Sequence, residues 1–289
     1  MILYYAPGAG LGHLSRAIKF ISGKLHDSPV ILLGTSRHAT VINDSLPTNV
    51  QYKQLLTAEL STEGFRRQLA QFSAELVLVD AFPAGINGEI QAPCDCPAWH
   101  LARRLKWQQY EPLIQAPLRF ERTFLLEKLD ASHHTMLIAQ SESVTRTPLP
   151  QITSRLDSLN RQELLAHFGL PSRLADAPFG IIAHAGSFEE TQQLIDYADE
   201  LHRYGECGPC FVVATPIASA RNHQTHGLKT EFLPGRWPVS SLFHHAELVV
   251  SGAGFNIVNE MTYNNVRHRV LPFERRWDDQ FSRARQVRS

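Results

Sequence analysis

The sequence begins with the stretch that decides its fold, Ile2-Leu-Tyr-Tyr-Ala-Pro-Gly-Ala-Gly-Leu-Gly-His-Leu-Ser-Arg16. Its start, residues 2–6, is a short apolar run typical of a buried strand, and the glycines after Pro7 favour a sharp turn. Apolar residues then recur at helical spacing, which predicts a helix over 12–25 with one buried face. A strand, a glycine-rich turn and a helix in this order indicate the opening unit of a parallel α/β sheet.

The same alternation of strands and helices continues through the rest of the chain. Further strands are predicted at 29–34, 75–80 and 135–139, and then at 179–183, 211–214, 248–251 and 269–273. Helices are predicted over 62–72, 159–168, 188–204 and 252–264, with a helical tail over 278–285. The strands are continuous apolar runs, a pattern typical of parallel strands that are buried on both faces.

A change of composition divides this alternation into two halves. Ser, Thr and Pro cluster over 145–153, which predicts a domain boundary near Pro150. A chain of 289 residues suggests two domains or one large one. Because both halves alternate strand and helix, we predict two doubly wound α/β domains, 1–150 and 151–289, with ligands outside the carboxyl ends of the strands.

The overall composition excludes several classes of protein. The chain has 28 Lys and Arg residues against 28 Asp and Glu residues, so its net charge gives no support to nucleic-acid binding. The N-terminus lacks the basic region of a signal peptide, and no apolar run reaches the roughly 18 residues of a membrane span. The sequence therefore predicts a cytoplasmic protein.

The first glycine turn carries the candidate catalytic residues. Gly10 and Gly12 let the backbone approach a ligand at a helix N-terminus, a position that suits anions. His13 stands where the turn becomes helix and is a candidate base, with Arg16 one turn further on; a surface histidine in a tight turn is the alternative. Asp80 ends a predicted strand, where it can bond to His13 or cap the following turn.

A second glycine turn, Ser251-Gly252-Ala253-Gly254, also follows a strand and precedes a helix, which predicts a phosphate site. Asn256 and Glu260 share one face of that helix, so Glu260 can accept hydrogen bonds from ribose hydroxyls. A solvated acid is the alternative for Glu260. Gly186 and Ser187, just before another predicted helix, are assigned to the same nucleotide site.

An acid–amide pair, Asp279-Gln280, follows the last predicted strand. Its oxygens can accept hydrogen bonds from sugar hydroxyls, and its amide can donate them. A helix N-cap formed by Asp278 or Asp279 is the alternative reading of this segment.

No metal site is predicted. The cysteines Cys94, Cys96, Cys207 and Cys210 have poor spacing for zinc. The last two resemble a redox motif, but they lead from a predicted helix into a strand, so their thiols lack the helix N-terminus that stabilises a thiolate. No Asp-x-Asp pair stands beside a strand end, and we expect helix N-termini with Arg16, Arg275 or Arg276 to meet phosphate charge.

These segments together resemble the GT-B glycosyltransferases, most of all the group of the bacterial peptidoglycan N-acetylglucosaminyltransferase. The group's opening Gly-x-Gly-His-x-x-Arg is matched by Gly10-Leu-Gly12-His13-Leu-Ser-Arg16. Its Ser-Gly-Ala-Gly turn, glutamate, strand-end proline and (Asp/Glu)-Gln pair are matched by Ser251–Gly254, Glu260, Pro272 and Asp279-Gln280. The resemblance implies two Rossmann-like domains that face a central cleft.

The resemblance also implies the roles of these residues. The glycine turn would hold the diphosphate, Glu260 the ribose and the acid–amide pair the donor sugar, while Asp80 would orient His13 as base. The implied activity is an inverting, metal-independent transfer of a hexose or N-acetylhexosamine from a UDP-sugar to a glycan, lipid-linked sugar or small molecule. Two alternatives stay open: a nucleotide-sugar hydrolase with the same histidine, and a non-catalytic nucleotide-sugar-binding protein.

One further segment bears on location. Residues 99–107, Trp-His-Leu-Ala-Arg-Arg-Leu-Lys-Trp, are basic and aromatic. We interpret them as an amphipathic helix, with peripheral contact at the inner membrane face as the alternative.

Overall fold

Two parallel β-sheets, one of seven strands and one of five, organise the parts of the chain that the computed structural model describes, residues 1–36, 38–151, 155–216 and 223–288. The chain divides into two compact units. Unit 1 comprises Met1–Gln151 and Arg275–Asp279, and unit 2 comprises Ile152–Glu274 and Gln280–Ser289. The late segment packs with unit 1, where the indole of Trp277 donates a hydrogen bond to the carbonyl of Ile86 at 3.0 Å.

Unit 1 holds the seven-stranded sheet, in the order β3-β2-β1-β4-β5-β6-β7. Its elements are β1 Ile2–Ala6, α1 Leu11–Lys24, β2 Val30–Gly34, β3 Val50–Gln54, α2 Thr62–Gln71, β4 Leu76–Asp80, β5 Ala98–Ala102, α3 Trp107–Tyr110, β6 Phe120–Leu125, α4 Ala131–Gln140 and β7 Ser141–Arg146. The apolar strand side chains supply the core: Leu3, Tyr5, Val77 and Val79 are at most 1% exposed and belong to one cluster. Burial of each aliphatic side chain in this cluster contributes about 1.5–3 kcal/mol.

Unit 2 holds the five-stranded sheet, in the order β10-β9-β8-β11-β12. Its elements are α5 Arg161–Phe168, β8 Gly180–Ala183, α6 Phe188–Arg203, β9 Cys210–Thr215, β10 Lys229–Pro234, β11 Leu248–Gly252, α7 Phe255–Thr262, β12 Arg267–Leu271 and α8 Gln280–Arg288. All of its strand pairs are parallel, so the loops that follow the strands share one edge of the sheet.

Each sheet reverses its winding direction at one place. In unit 1 this switch point lies between β1 and β4, and in unit 2 it lies between β8 and β11. The connections leave such neighbouring strands in opposite directions and open a crevice at their carboxyl ends, where ligands of this fold class bind. The two switch points are therefore the candidate ligand sites of the two units.

One predicted strand is wrong. Residues 135–139 belong to α4, and the strand of that region, β7, begins immediately afterwards at Ser141. The apolar run is short enough to suit either element. The helix is favoured because His133 and Leu137, four residues apart, are both buried on one face.

The interpretation of residues 99–107 is also wrong. Residues 98–102 form β5, which lies between β4 and β6, and Arg103 and Arg104 after it are each 5% exposed. The sequence hides this strand because His100 and two arginines interrupt its apolar character. The segment is therefore not an amphipathic helix, and it offers no basic, aromatic helix face for a membrane contact. Among the described residues, no helix has the length and apolar character that crossing a membrane requires.

Candidate functional site

The switch point of unit 1 brings His13 and Asp80 together. His13 lies in the first turn of α1, just after the loop that follows β1, and Asp80 is the last residue of β4. These strands are paired, with Tyr5 opposite Val79. The Nδ1 atom of His13 lies 2.5 Å from Oδ2 of Asp80.

Arg16 occupies the other side of the same carboxylate. Its Nε donates to Oδ1 of Asp80 at 2.6 Å and its Nη2 to Oδ2 at 2.6 Å, which is a bidentate ion pair. The Arg16 side chain is 3% exposed and that of Asp80 is fully buried. This position differs from the predicted contact of Arg16 with donor phosphates, because the guanidinium is turned to Asp80 inside the unit.

The environment sets the charge of each of these groups. Burial would raise the pKa of Asp80, but the charges of Arg16 and His13 and their hydrogen bonds hold it well below its usual range. Burial lowers the pKa of His13, and the attraction of Asp80 offsets this only in part. At neutral pH Asp80 is therefore ionised and His13 neutral. Because Nδ1–H donates to Asp80, Nε2 keeps its lone pair and can accept a proton.

Residues that the sequence analysis missed enclose the imidazole of His13. The Phe82 ring lies 5.4 Å from it, and the guanidinium of Arg103 lies 5.6 Å from the centre of Phe82. Arg103 forms an ion pair with Asp278, and its positive charge also lowers the pKa of His13. Arg103 directly follows β5, so a correct prediction of that strand would have placed it at this edge of the sheet.

Gly8 is also part of this site. A Cβ atom on Gly8 would lie 2.2 Å from Cδ2 of His13 and 2.7 Å from its Nε2. Only glycine allows the loop to pass this close to the ring. The nearby Gly10 is instead the N-cap of α1, and it has open space around it.

At the switch point of unit 2, helix α7 follows the second glycine turn. Its N-cap is Gly254, which has no capping side chain, and its first turn holds no acidic residue. The positive end of the helix dipole lies at this N-terminus and suits an anion. This agrees with the predicted phosphate site at the second glycine turn, which stays a prediction.

The neighbouring helix α6 is capped. The Ser187 hydroxyl accepts a hydrogen bond from the Glu190 backbone, and the Glu190 carboxylate accepts one from the Ser187 backbone. This capping box satisfies two of the backbone donors at the start of the helix. Ser187 therefore has a structural role in the α6 cap, and the assignment of Gly186 and Ser187 to the nucleotide stays a prediction.

Ser251, which is predicted to bind the nucleotide, directs its hydroxyl to partners inside unit 2. It is fully buried, its hydroxyl donates to the carbonyl of Gly252 at 2.9 Å, and it lies 2.8 Å from Nε2 of His268. Burial lowers the pKa of His268 to about 4, so this ring is neutral. Ser251 and Ala253 are buried, whereas Asn256 and Glu260 lie one turn apart on α7 and are partly exposed.

The acid–amide pair lies where the chain passes from one unit to the other. Asp279 is the last residue of the late unit 1 segment, and Gln280 begins α8 in unit 2. Gln280 is 5% exposed, and its Oε1 accepts a hydrogen bond from the Phe273 backbone at 3.0 Å. The amide oxygen thus fixes the loop after β12 and is not open to a sugar.

The described residues contain no group of three or more His, Cys, Asp or Glu side chains arranged to hold a metal ion. The described cysteines are all free. Cys207 follows α6 and Cys210 begins β9, which is the predicted helix-to-strand order.

No protein-family model matches the chain, and neither does any curated protein. Solved structures do. UGT2 of Phytolacca americana, complexed with UDP-2fluoro-glucose and pterostilbene, is similar with a TM-score of 0.61 and 14% identity, over 98% of this chain and 82% of that one. Acinetobacter baumannii MurG is similar with a TM-score of 0.55 and 12% identity, over 99% and 82%.

A third similar structure is S. aureus MnaA in complex with UDP, with a TM-score of 0.63 and 13% identity, over 95% of this chain and 80% of that one. Together these likenesses confirm the predicted fold, the two Rossmann-like domains of the GT-B glycosyltransferases.

Proposed function

We propose that this protein is a glycosyltransferase that moves a hexose or N-acetylhexosamine from a UDP-sugar to an acceptor hydroxyl, with inversion and without a metal ion. The His13–Asp80 pair is the observation that carries the proposal. It provides a neutral, oriented imidazole at a switch point, in a fold whose solved examples include complexes with UDP and with a UDP-sugar analogue.

His13 acts as the base in the proposed reaction. Its Nε2 takes the proton of the acceptor hydroxyl as that oxygen attacks the anomeric carbon, and the bond from that carbon to the diphosphate breaks. The imidazolium that forms is stabilised by Asp80, which stays ionised because Arg16 holds it. A base of this kind typically contributes 10²–10⁴-fold to the rate.

The donor is held by unit 2. The leaving diphosphate bears negative charge, which the uncapped N-terminus of α7 is suited to stabilise. Asn256 and Glu260 on the same helix are assigned to the nucleotide, with Glu260 accepting from the ribose hydroxyls. Asp279 is assigned to the donor sugar.

The same geometry favours a second candidate function, hydrolysis of the nucleotide sugar. Nothing about the Nε2 atom of His13 distinguishes a sugar hydroxyl from water as the group that it deprotonates. The non-catalytic alternative requires that neither reaction occurs.

Turnover of UDP-glucose and of UDP-N-acetylglucosamine, with and without a mixture of glycan, lipid-linked and phenolic acceptors, tests the proposal. A transferase forms a glycosylated acceptor and little free sugar, and it keeps its rate when a chelator is added. A hydrolase releases free sugar at full rate in water alone. Donor binding without either product would leave the non-catalytic alternative.

A further inference from the structure

Two cysteines lie side by side in the loop that leads into β5. They belong to residues 93–97, Pro-Cys-Asp-Cys-Pro, and β5 begins at the next residue, Ala98. The Sγ atom of Cys94 lies 3.5 Å from the Sγ atom of Cys96. Both residues are partly exposed, so the pair lies near the surface of unit 1, within reach of small molecules in solution.

This cysteine pair lies at the opposite edge of the sheet from the site of His13 and Asp80. The strands β4 and β5 are parallel, with Asp80 opposite Leu101. Asp80 ends β4 at the carboxyl edge of the sheet, whereas the cysteines precede the amino end of β5. Any chemistry of the pair is therefore separate from the proposed sugar transfer.

The loop that carries the pair is anchored on both sides. The backbone N–H of Val77 donates to the carbonyl of Pro97 at 3.0 Å, and the backbone N–H of Ala92 donates to the carbonyl of Ala116 at 3.0 Å. Both cysteines also pack against the apolar cluster of unit 1 that includes Val77. These contacts hold the two sulfurs close together before any reaction takes place.

One proton is shared between the two sulfurs. The Cys96 thiol and the Cys96 backbone N–H both donate to Sγ of Cys94, and these hydrogen bonds lower the pKa of Cys94 to about 6 against the opposing effect of burial. The bond between the sulfurs raises the pKa of Cys96, because it favours the protonated thiol. At neutral pH Cys94 therefore carries a thiolate, the nucleophilic form of cysteine, and Cys96 carries the proton.

We propose that Cys94 and Cys96 form a redox site that low-molecular-weight disulfides oxidise reversibly. The Cys94 thiolate attacks one sulfur of the small disulfide, which forms a mixed disulfide and expels a thiolate. Cys96 gives its proton to that thiolate and attacks Sγ of Cys94, which closes the Cys94–Cys96 disulfide and expels a second thiolate. The cysteine pair loses two electrons and the small disulfide gains them.

The geometry suits this second step. A disulfide needs its sulfurs at about 2.05 Å, so rotation of the two side chains has to close only the remaining gap from 3.5 Å. Because the pair is partly exposed, a thiol in solution can reach the bond and reduce it again.

The other two cysteines provide a comparison within the same chain. Burial and the negative charge of Glu247 raise the pKa of Cys207, so its thiol stays protonated at neutral pH. Cys210 begins β9, where its backbone pairs with Lys229 of β10. Although Cys207 and Cys210 are also partly exposed, we expect this second pair to react more slowly.

Oxidation of the whole protein by glutathione disulfide, followed by peptide mapping, tests the proposal. Remaining thiols are trapped with N-ethylmaleimide in denaturant, and the protein is cut with trypsin. No Lys or Arg lies within residues 68–102 or within residues 204–220, so the two cysteine pairs fall in separate peptides. Mass spectrometry then reports each pair by itself.

At about pH 6, the Cys94–Cys96 peptide should lose two hydrogen atoms about tenfold faster than the Cys207–Cys210 peptide, because Cys94 is largely thiolate there and Cys207 is not. Dithiothreitol should restore both thiols. Oxidation of the two pairs at the same rate, or no disulfide between Cys94 and Cys96, would overturn the proposal.

Single variants separate the two steps. Cys96→Ser keeps a hydroxyl that can donate to Cys94 but cannot close the disulfide, so glutathione should stay attached to Cys94. Cys94→Ser should slow the reaction of this peptide about tenfold at about pH 6. Cys210→Ser is the matched control and should leave oxidation of the first pair unchanged. Glutathione that stays attached to Cys94 in the wild type would contradict the second step, and this readout needs no variant.

Discussion

The two switch points of this molecule occupy the same topological position in their sheets and carry opposite chemistry. At the carboxyl ends of β1 and β4, Asp80, Arg16 and His13 form a buried cluster of charged and titratable groups. At the carboxyl ends of β8 and β11 there are glycine turns and an uncapped helix. The fold supplies a crevice in both units, and the side chains decide what each crevice can do.

The difference has an electrostatic reason. An ionised carboxylate such as Asp80 repels phosphate, and the charge of Arg16 is already turned to that carboxylate. A site of this kind suits proton transfer. The α7 N-terminus has no side-chain cap at Gly254 and no acid in its first turn, and the positive end of its dipole suits an anion. Five predictions test this division between a proton-transfer site and an anion site.

Loss of the base should have the largest effect. His13→Ala is expected to lower turnover by about 10²–10⁴-fold while leaving donor affinity nearly unchanged, because the donor is assigned to unit 2. Since burial lowers the pKa of His13, wild-type turnover should fall only below the usual range of histidine titration. Steady-state rates and donor calorimetry on one preparation measure both effects. Full activity with a lowered melting temperature would show that His13 only packs the turn.

Removal of the buried carboxylate should mainly affect stability. Asp80→Ala leaves Arg16 buried without its counterion, which is expected to cost about 3–5 kcal/mol of unfolding free energy. Because Asp80 has a lowered pKa, the wild type keeps this contribution above about pH 4 and loses it only in stronger acid. Urea unfolding measures it. Asp27→Ala removes an exposed carboxylate that pairs with His26 and should change little.

Unit 1 should also lose stability in mild acid. Burial lowers the pKa of His100 to about 4 and that of His133 to about 3, so both are neutral in the fold. The unfolded chain binds protons more readily, so stability is greatest above about pH 6.5 and falls as the pH drops toward 4.

His133→Phe should recover about 2 kcal/mol of this loss at about pH 4.5, and it can keep the stacking on Trp107, whose ring centre is 4.0 Å away. The control is His134→Gln, at the less buried neighbouring position. Identical acid sensitivity of His133→Phe and wild type in urea unfolding at the two pH values would contradict the assignment.

On the anion side, Glu260→Ala is expected to weaken UDP binding by about 1.5–3 kcal/mol, the range for hydrogen bonds to a charged group. Calorimetry measures this loss, and urea unfolding should show nearly unchanged stability because Glu260 is partly exposed. Unchanged affinity of Glu260→Ala for UDP would show that Glu260 does not bind the ribose.

Ser251→Ala should give the smallest effect and the reverse pattern. It removes the hydroxyl that bonds to Gly252 and His268, which is expected to cost about 1 kcal/mol of stability. Donor affinity should stay within error because the residue is fully buried. If Ser251→Ala lost as much donor affinity as Glu260→Ala, Ser251 would contribute to the ligand site.

How well the sequence predicted each element depended on how local its signal was. β1, β4, β8 and β11 are short and mainly apolar runs, and all four were predicted close to their actual bounds. β5 was missed because the neighbours β4 and β6, and not its own residues, provide the contacts that bury His100.

The sequence by itself determined the fold class and the placement of His13 and Asp80, since apolar periodicity and glycine turns are properties of adjacent residues. Only the tertiary structure decided the partners. It gave Arg16 to Asp80, 64 residues away, turned the Ser251 hydroxyl to His268, and placed His184 between two glycine turns. The reason is that a buried polar group costs free energy unless it forms a hydrogen bond. Which partner lies within reach depends on how distant segments of the chain pack.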